Sequence, residues 1–289
     1  MKIRNDRLSY SAWRKFKEGP DSYVLYLMGL ELRSPYAAAG KAYHQQIAGA
    51  LMGGYDQSPQ VDKTITGAIE RGIVTTVAGV ELHLSAEVDD ATVHGILDLL
   101  CVGPTSVTDW KTGRPRPEDQ EQLRWYLAMA GGWNMEPVAG YVVYVDSRSG
   151  RIRDVTTIAY NDRVKARAQE EIVEAWGTIA RAPWPTEVGL PVRGVTHADD
   201  YPRNIAVCEP GDIIRIEEQQ VETENGTETG LAFVRRDRRL GWVPKELIPK
   251  VHATEGVVAW AGMPVYKPDA TIKKHGGLRI AVPLGEIDV

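Results

Sequence analysis

Thr92–Gly113 reads TVHGILDLLCVGPTSVTDWKTG. Two β-type runs, Thr92–Val102 and Ser106–Lys111, flank a Gly-Pro turn signal and predict an antiparallel hairpin. If Gly103–Ser106 form the loop, Val102 pairs with Val107, and counting back sets Asp98 opposite Lys111. Asp109 stands two residues from Lys111, so both point to one face of their strand. Cross-strand partners share a face as well, so Asp98, Asp109 and Lys111 converge on one patch. Two carboxylates crowded in this way are costly unless a proton or a cation compensates, and Lys111 is the only local positive charge.

Outward from the hairpin, four short motifs follow one another in order. They are Gly40-Lys-Ala-Tyr-His44, Gly95-Ile-Leu-Asp98, Asp109-Trp-Lys111-Thr-Gly113 and Gln122-Leu-Arg-Trp-Tyr126. Together, over roughly Leu8 to Pro185, they resemble the signature of the RecB-type branch of the PD-(D/E)XK nucleases. The resemblance implies an α/β core, a mixed sheet flanked by helices, that hydrolyses DNA phosphodiesters with Mg²⁺ or Mn²⁺. It implies His44, Asp98 and Asp109 as metal ligands, with the Trp110 carbonyl as a fourth. Asp98, Asp109 and Lys111 are then the catalytic set, and Lys111 orients or deprotonates a metal-bound water. Gln122 and Tyr126, one helical turn apart, would hold DNA near the metal. The stiff loop Arg114-Pro-Arg116 beside them would touch phosphate. Exonuclease action is the usual activity of such relatives and is the expected one here. Iron–sulfur relatives carry a cysteine at the position of Gly19 and more after the last core helix. This chain has only Cys101 and Cys208, so no cluster is expected.

Composition sets outer limits. With 289 residues, 43% hydrophobic and 25% charged, the chain reads as an ordinary globular protein of one large or two smaller domains. No apolar run approaches the roughly 18–20 residues needed to span a bilayer, so no membrane is expected. The N-terminal MKIRNDRLSYSAWRKF has no apolar core of a signal peptide, and a reducing cytoplasm is the expected compartment. The two cysteines are far apart and suggest neither a disulfide framework nor a zinc site. A net charge of -5 argues against a generally basic nucleic-acid binder and leaves room for a local basic groove.

Along the chain, Leu8–Leu30 predicts two short helices, the first capped by Ser9 or Ser11 and separated from the second by Gly19-Pro20. Tyr23, Tyr26, Leu27 and Leu30 fall on one face of the second. Ser34–Met52 predicts a helix with His44, Ile47, Ala48 and Leu51 on its inward stripe. Val61–Gly72 predicts another, and Val74–Val88 a strand region in which Glu87 is a candidate extra carboxylate. A helix from about Pro117 to Ala130 follows the hairpin. Then come two strands around the turn Asp146–Gly150 and a long helix Asn161–Ala182 capped by Asn161. That helix closes the core, so residues after about Pro185 are expected to be dispensable for cleavage.

After Pro185 the pattern changes to short strands and turns. Glu209–Ile216 and Gly241–Ile248 resemble parts of a Src-homology-3-like barrel, Gly211-Asp212 matching the turn before its second strand and Gly241-Trp-Val-Pro244 its final strand and turn, without its usual tandem tryptophan. The expected domains are 1–188, a nuclease core; 189–251, a small all-β barrel; and 252–289, a β-rich extension with a turn at Lys273–Gly277. Arg235, Arg236, Arg238 and Arg239 offer a second DNA contact. The expected partner is DNA, with a protein partner through the barrel as a second contact. Two other readings compete: a catalytically silent DNA-binding module, and an adaptor acting through the barrel.

Overall fold

The computed structural model describes residues 8–28, 35–54, 58–182, 185–193, 204–205, 207–223, 226–261, 265–266, 272–274 and 278–283. They fall into two compact units, one built from residues 8–14 and 35–182 and the other from 15–28 and 185–283. In chain order the first part comprises β1 Leu8–Ser9, α1 Tyr10–Glu18, α2 Pro20–Leu27, α3 Pro35–Leu51, α4 Pro59–Glu70, β2 Thr76–Val88, β3 Ala91–Val102 and β4 Ser106–Lys111. Then come α5 Pro117–Gly132, β5 Ala139–Asp146, β6 Arg151–Ala159 and α6 Asp162–Arg181. The remainder is β7 Glu187–Pro191, β8 Ile213–Thr223, β9 Gly226–Arg235, β10 Arg238–Trp242, a short 3-10 helix Lys245–Lys250, β11 Glu255–Ala261, β12 Val265–Tyr266, β13 Ile272–Lys274 and β14 Leu278–Pro283.

The mixed-sheet unit has strand order β1-β3-β4-β5-β6, with β2 on the other side of β3. Pairs β2–β3, β3–β4 and β5–β6 are antiparallel hairpins, whereas β4–β5 is parallel and needs the α5 crossover between them. One face packs Leu99, Cys101, Trp110, Val143 and Val145 against Tyr43 and Ile47 of α3 and Val61 and Ala68 of α4. α5 covers the other, so closely that a Cβ on Gly140 would meet Leu123 Cδ1 at 2.9 Å. α6 lies against α5, where Arg124 donates to both Glu171 oxygens at 2.6 and 3.2 Å. Helix starts follow the capping chemistry. Ser9 Oγ accepts from the Ala12 N–H at 3.1 Å, Ser58 Oγ from Val61 at 3.3 Å and Asn161 Oδ1 from Val164 at 3.0 Å.

The Asp146–Gly150 turn holds a backbone constraint. Gly150 has φ +66°, and a Cβ there would run into the Gln60 carbonyl. Its own carbonyl accepts from the buried Thr64 hydroxyl at 3.0 Å. Gly150→Ala should therefore cost the mixed-sheet unit at least about 2 kcal/mol through left-handed strain and overpacking. In a thermal melt that is a fall of roughly 4–8 °C, and an unchanged transition would contradict the strain.

The barrel unit has strand order β10-β9-β8-β11-β14-β7. One antiparallel bridge, Arg193 with Trp242, joins the segment after β7 back to β10 and closes the ring, with N–H to carbonyl bonds of 2.8 and 2.9 Å. The turn before β8 is built as its sequence suggests, with Gly211 at φ +95° and the Glu209 N–H bonded to Asp212 Oδ2 at 2.8 Å. Strands β7, β11 and β14 join the same ring, so this sheet draws on residues on both sides of 189–251.

Three features differ from the sequence reading. Leu8–Ser9 form a parallel strand on β3, Leu8 opposite Val93 and Ser9 opposite His94. The buried residues of α2 are Tyr23, Val24 and Leu25, joined by Met28 just after it, instead of a Tyr23–Tyr26–Leu27–Leu30 stripe. Val24, Leu25 and Met28 belong to the barrel core with Val188, Ile214 and Phe233, so residues 15–28 group with the C-terminal unit and not with 1–188. Leu30 and residues 275–277 of the expected turn lie outside the described residues.

Candidate active site

The hairpin register decides how the charged residues meet. Cys101 pairs with Ser106, Leu100 with Val107 and Leu99 with Thr108. The ladder is thus shifted by two residues from the expected one, because Val102 stays outside the β3–β4 pairing, and it sets Asp98 opposite Asp109 in place of Lys111. A shift of two preserves the side-chain alternation, whereas a shift of one would have reversed it. Beyond Leu99 the strands exchange no further paired backbone bonds, and the Trp110 N–H donates instead to the Asp98 carboxylate at 2.7 Å. The site lies where β3 and β4 part.

Asp109 is 2% exposed. Its Oδ1 accepts from the Lys111 ammonium at 3.1 Å. Oδ2 lies 2.8 Å from the same nitrogen but outside hydrogen-bonding geometry, so it is a buried oxygen without a hydrogen bond. His44 reaches in from α3, its Nδ1 3.6 Å from Asp98 Oδ2. Gly40, one turn before it, makes room: a Cβ there would lie 2.7 Å from Thr112 Oγ1, just beyond Lys111. On α5, Gln122 Oε1 accepts from Lys111 at 3.0 Å, and Gln122 Nε2 donates to the Tyr126 hydroxyl at 2.6 Å.

Burial sets the electrostatics. It pushes the Asp98 carboxyl well above the usual carboxylate range, the Asp109 charge adds to this, and Lys111 and the Trp110 N–H only partly offset it. Burial also raises Asp109, with Lys111 opposing. For Lys111 burial works against the ammonium, yet Asp109 and Asp98 outweigh it and the net shift is upward. Burial, then the Lys111 charge, lowers His44 to about 4, so its ring is neutral at pH 7 and its contact with Asp98 is no ion pair. A neutral imidazole is the form that binds a metal.

The structure thus brings together His44, Asp98, Asp109, Lys111, Gln122 and Tyr126. Trp110 contributes backbone, its ring being 2% exposed in the core of the opposite face. Arg114 and Arg116 are exposed in the loop before α5. Among the described residues no group of three or more His, Cys, Asp or Glu side chains is assembled to hold a metal ion, and Lys111 lies against Asp109. Glu87 is elsewhere, accepting the Thr92 hydroxyl at 2.9 and 3.0 Å at the far end of the β2–β3 hairpin. Glu81 is nearer: Val80 pairs with Leu99 and Leu82 with Leu97, which puts Glu81 opposite Asp98, and its charge adds to the upward push on that carboxyl. Its φ of +49° removes it from the ladder, and no sequence pattern announces that.

In the barrel unit, two of the four clustered arginines are occupied. Arg235 pairs with Asp212 at 2.8 Å, and Arg239 donates to Gln219 at 3.1 Å and lies over the Trp242 ring at 4.5 Å. Arg236 and Arg238 are the exposed members, so at most two phosphate contacts are on offer there in place of four.

No protein-family model matches the chain, and no curated protein does. Among solved structures it is similar to a candidate exonuclease from Eubacterium rectale, 11% identical, covering 61% of this chain and 80% of that one with a TM-score of 0.45. It is similar to the alkaline exonuclease LHK-Exo of Laribacter hongkongensis in complex with dAMP, 16% identical over 61% and 88% at 0.40. It is also similar to SSO0001, 16% identical over 60% and 78% at 0.38. No helix among the described residues is long and apolar enough to cross a membrane.

Proposed function

We propose that this chain is a divalent-metal-dependent nuclease of the RecB-type branch of the PD-(D/E)XK nucleases. It hydrolyses DNA phosphodiesters, by exonuclease action, and the barrel unit is a Src-homology-3-like accessory. The observation that carries this reading is the meeting of Asp98, Asp109, Lys111 and His44 where β3 and β4 part, in the order the four motifs require. The donor set fits Mg²⁺ or Mn²⁺. It offers hard oxygens and one neutral imidazole, one Asp109 oxygen accepts no hydrogen bond, and both carboxyls are held protonation-prone in a way a cation would reverse. Asp98, Asp109, His44 and the Trp110 carbonyl would hold the ion, which supplies Lewis acidity and a bound water of lowered pKa. Lys111 keeps its proton and offsets charge developing on the phosphate, a role its upward shift favours over that of a base. Arg114 and Arg116 supply phosphate contacts that position DNA without reading its sequence.

The direct test is degradation of 5′- and 3′-labelled single- and double-stranded DNA with Mg²⁺ or Mn²⁺ and with chelator. A binding test needs no activity. Metal at a hundred times its Kd should stabilise the mixed-sheet unit by about 2.7 kcal/mol. Asp98→Asn should lose most of that gain and yet melt above the parent in chelator. The amide still accepts from Trp110, and the repulsion with Asp109 is gone. A raised carboxyl pKa in the folded state means stability is lost as pH rises through that pKa, so the difference between parent and variant should shrink as pH falls and Asp98 takes up its proton. Identical melting with and without metal in the parent would remove the metal from the reading.

A further inference from the structure

We propose that Gln122 and Tyr126 position the Lys111 ammonium instead of holding DNA, and that Gly95 seats them. The lysine is a pure donor, so it fixes the Gln122 amide with Oε1 toward Lys111 at 3.0 Å. Nε2 is thereby turned to the Tyr126 oxygen, which accepts at 2.6 Å. Both ends of the amide are therefore used inside the protein, and Tyr126 is only 8% exposed, which leaves it little surface for a DNA strand.

Tyr126 is itself held by what β3 lacks. A Cβ on Gly95 would stand 2.9 Å from Tyr126 Cε1 and 2.5 Å from Met129 Cε, so the ring and the methionine lie on bare backbone. Three elements meet in one chain of contacts: Gly95 on β3, Tyr126 and Gln122 on α5, and Lys111 with Asp109 on β4. Asp109 and Gln122 fix two of the three ammonium protons and leave the third for the phosphate. That last step rests on the nuclease reading above; the positioning itself does not.

The test separates the two. In the full chain, Gln122→Ala should lower kcat roughly 10–100-fold, since loss of positioning alone carries such factors. The Kd for DNA, measured in chelator so that nothing is cut, should stay within about twofold, as no phosphate contact is lost. Tyr126→Phe should cost less, because the Lys111–Gln122 bond survives. Gln122→Glu keeps an acceptor for the lysine and a partner for the tyrosine, and should restore kcat toward the parent. Gly95→Ala, checked by melting for an intact fold, should lower kcat at least as far as Tyr126→Phe, because the displaced ring also shifts Gln122. A readout free of activity is the ammonium proton signal of Lys111 in protein labelled with ¹⁵N-lysine. It should be slow to exchange in the parent and in Gln122→Glu, and lost in Gln122→Ala. A Gln122→Ala variant that keeps kcat and binds DNA more weakly, or whose Lys111 signal is unchanged, overturns the proposal. If the parent does not cut DNA while the Lys111 signal depends on Gln122, the positioning stands and the nuclease reading falls.

Discussion

Asp109→Asn and Lys111→Ala should each lower metal-dependent DNA cleavage by at least about 10²–10³-fold, and they should do so with unequal effects on stability. On the proposed reading, loss of the Asp109 carboxylate would take a ligand from the cation, and loss of Lys111 would take away a charge poised beside the reacting phosphate. In chelator the two differ. Asp109 is 2% exposed and Lys111 is the partner that opposes its upward shift. Removing the lysine leaves a buried carboxylate beside a second one, a situation that costs about 3–5 kcal/mol for a fully buried pair and less here, where the lysine side chain is 23% exposed. Removing the aspartate charge relieves Asp98 but takes from Lys111 its largest compensating charge, so Asp109→Asn should melt closer to the parent than Lys111→Ala does. The double variant Asp109→Asn with Lys111→Ala should recover most of the stability lost in Lys111→Ala, a non-additivity expected only of groups in contact. Steady-state cleavage and melting in chelator check all three. Either single variant cutting within tenfold of the parent, with contaminating nuclease excluded, would sink the assignment.

The part of the site that was legible in the sequence rests on period-two alternation, which survives errors of counting. The register that the sequence suggests for the hairpin between Thr92 and Lys111 is two residues off, yet Asp98, Asp109 and Lys111 still meet, since only an odd slip changes faces. Helix caps were legible for the same local reason, as at Asn161. What could not be read are contacts set by docking. The spacing of Gln122 and Tyr126 shows that they share a helix face, but not that this face meets Lys111, which depends on how closely α5 lies on β3 and β4. Gly95 and Gly140 allow that closeness, and a sequence shows a glycine without showing what approaches it. Leu8–Ser9 are too short to announce a strand, and their partner is β3, far along the chain. An apolar helix face also carries no address. The apolar content of α2 predicts that the helix is buried but not which residues enter a core or which core receives them, because hydrophobic attraction is non-directional.

Ending the chain at Pro185 should therefore not yield a well-behaved mixed-sheet unit, although all four motifs precede that residue. Val24, Leu25 and Met28 are 0, 3 and 4% exposed within a core whose other members, from Val188 to Val282, would be gone. At about 1.5–3 kcal/mol for each side chain returned to water, the three lose roughly 5–9 kcal/mol of burial. Polar partners go with them. Asp21 Oδ1 accepts from the Gly189 N–H at 3.2 Å, and the Met28 carbonyl accepts from Lys250 at 2.9 Å. Starting the chain after α2 is no remedy. It removes β1 from β3, and with it the Tyr10 and Trp13 bonds to Glu121 at 3.1 and 3.3 Å. The expected product of the 1–185 truncation is a protein that binds a hydrophobic dye and self-associates on size exclusion. Replacing Val24, Leu25 and Met28 together with glutamine should suppress both effects, because it removes the apolar face that lost its cover. A monomeric, dye-negative 1–185 chain with unmodified α2 would show that α2 finds cover without the barrel, and would return the boundary to the position the sequence suggested.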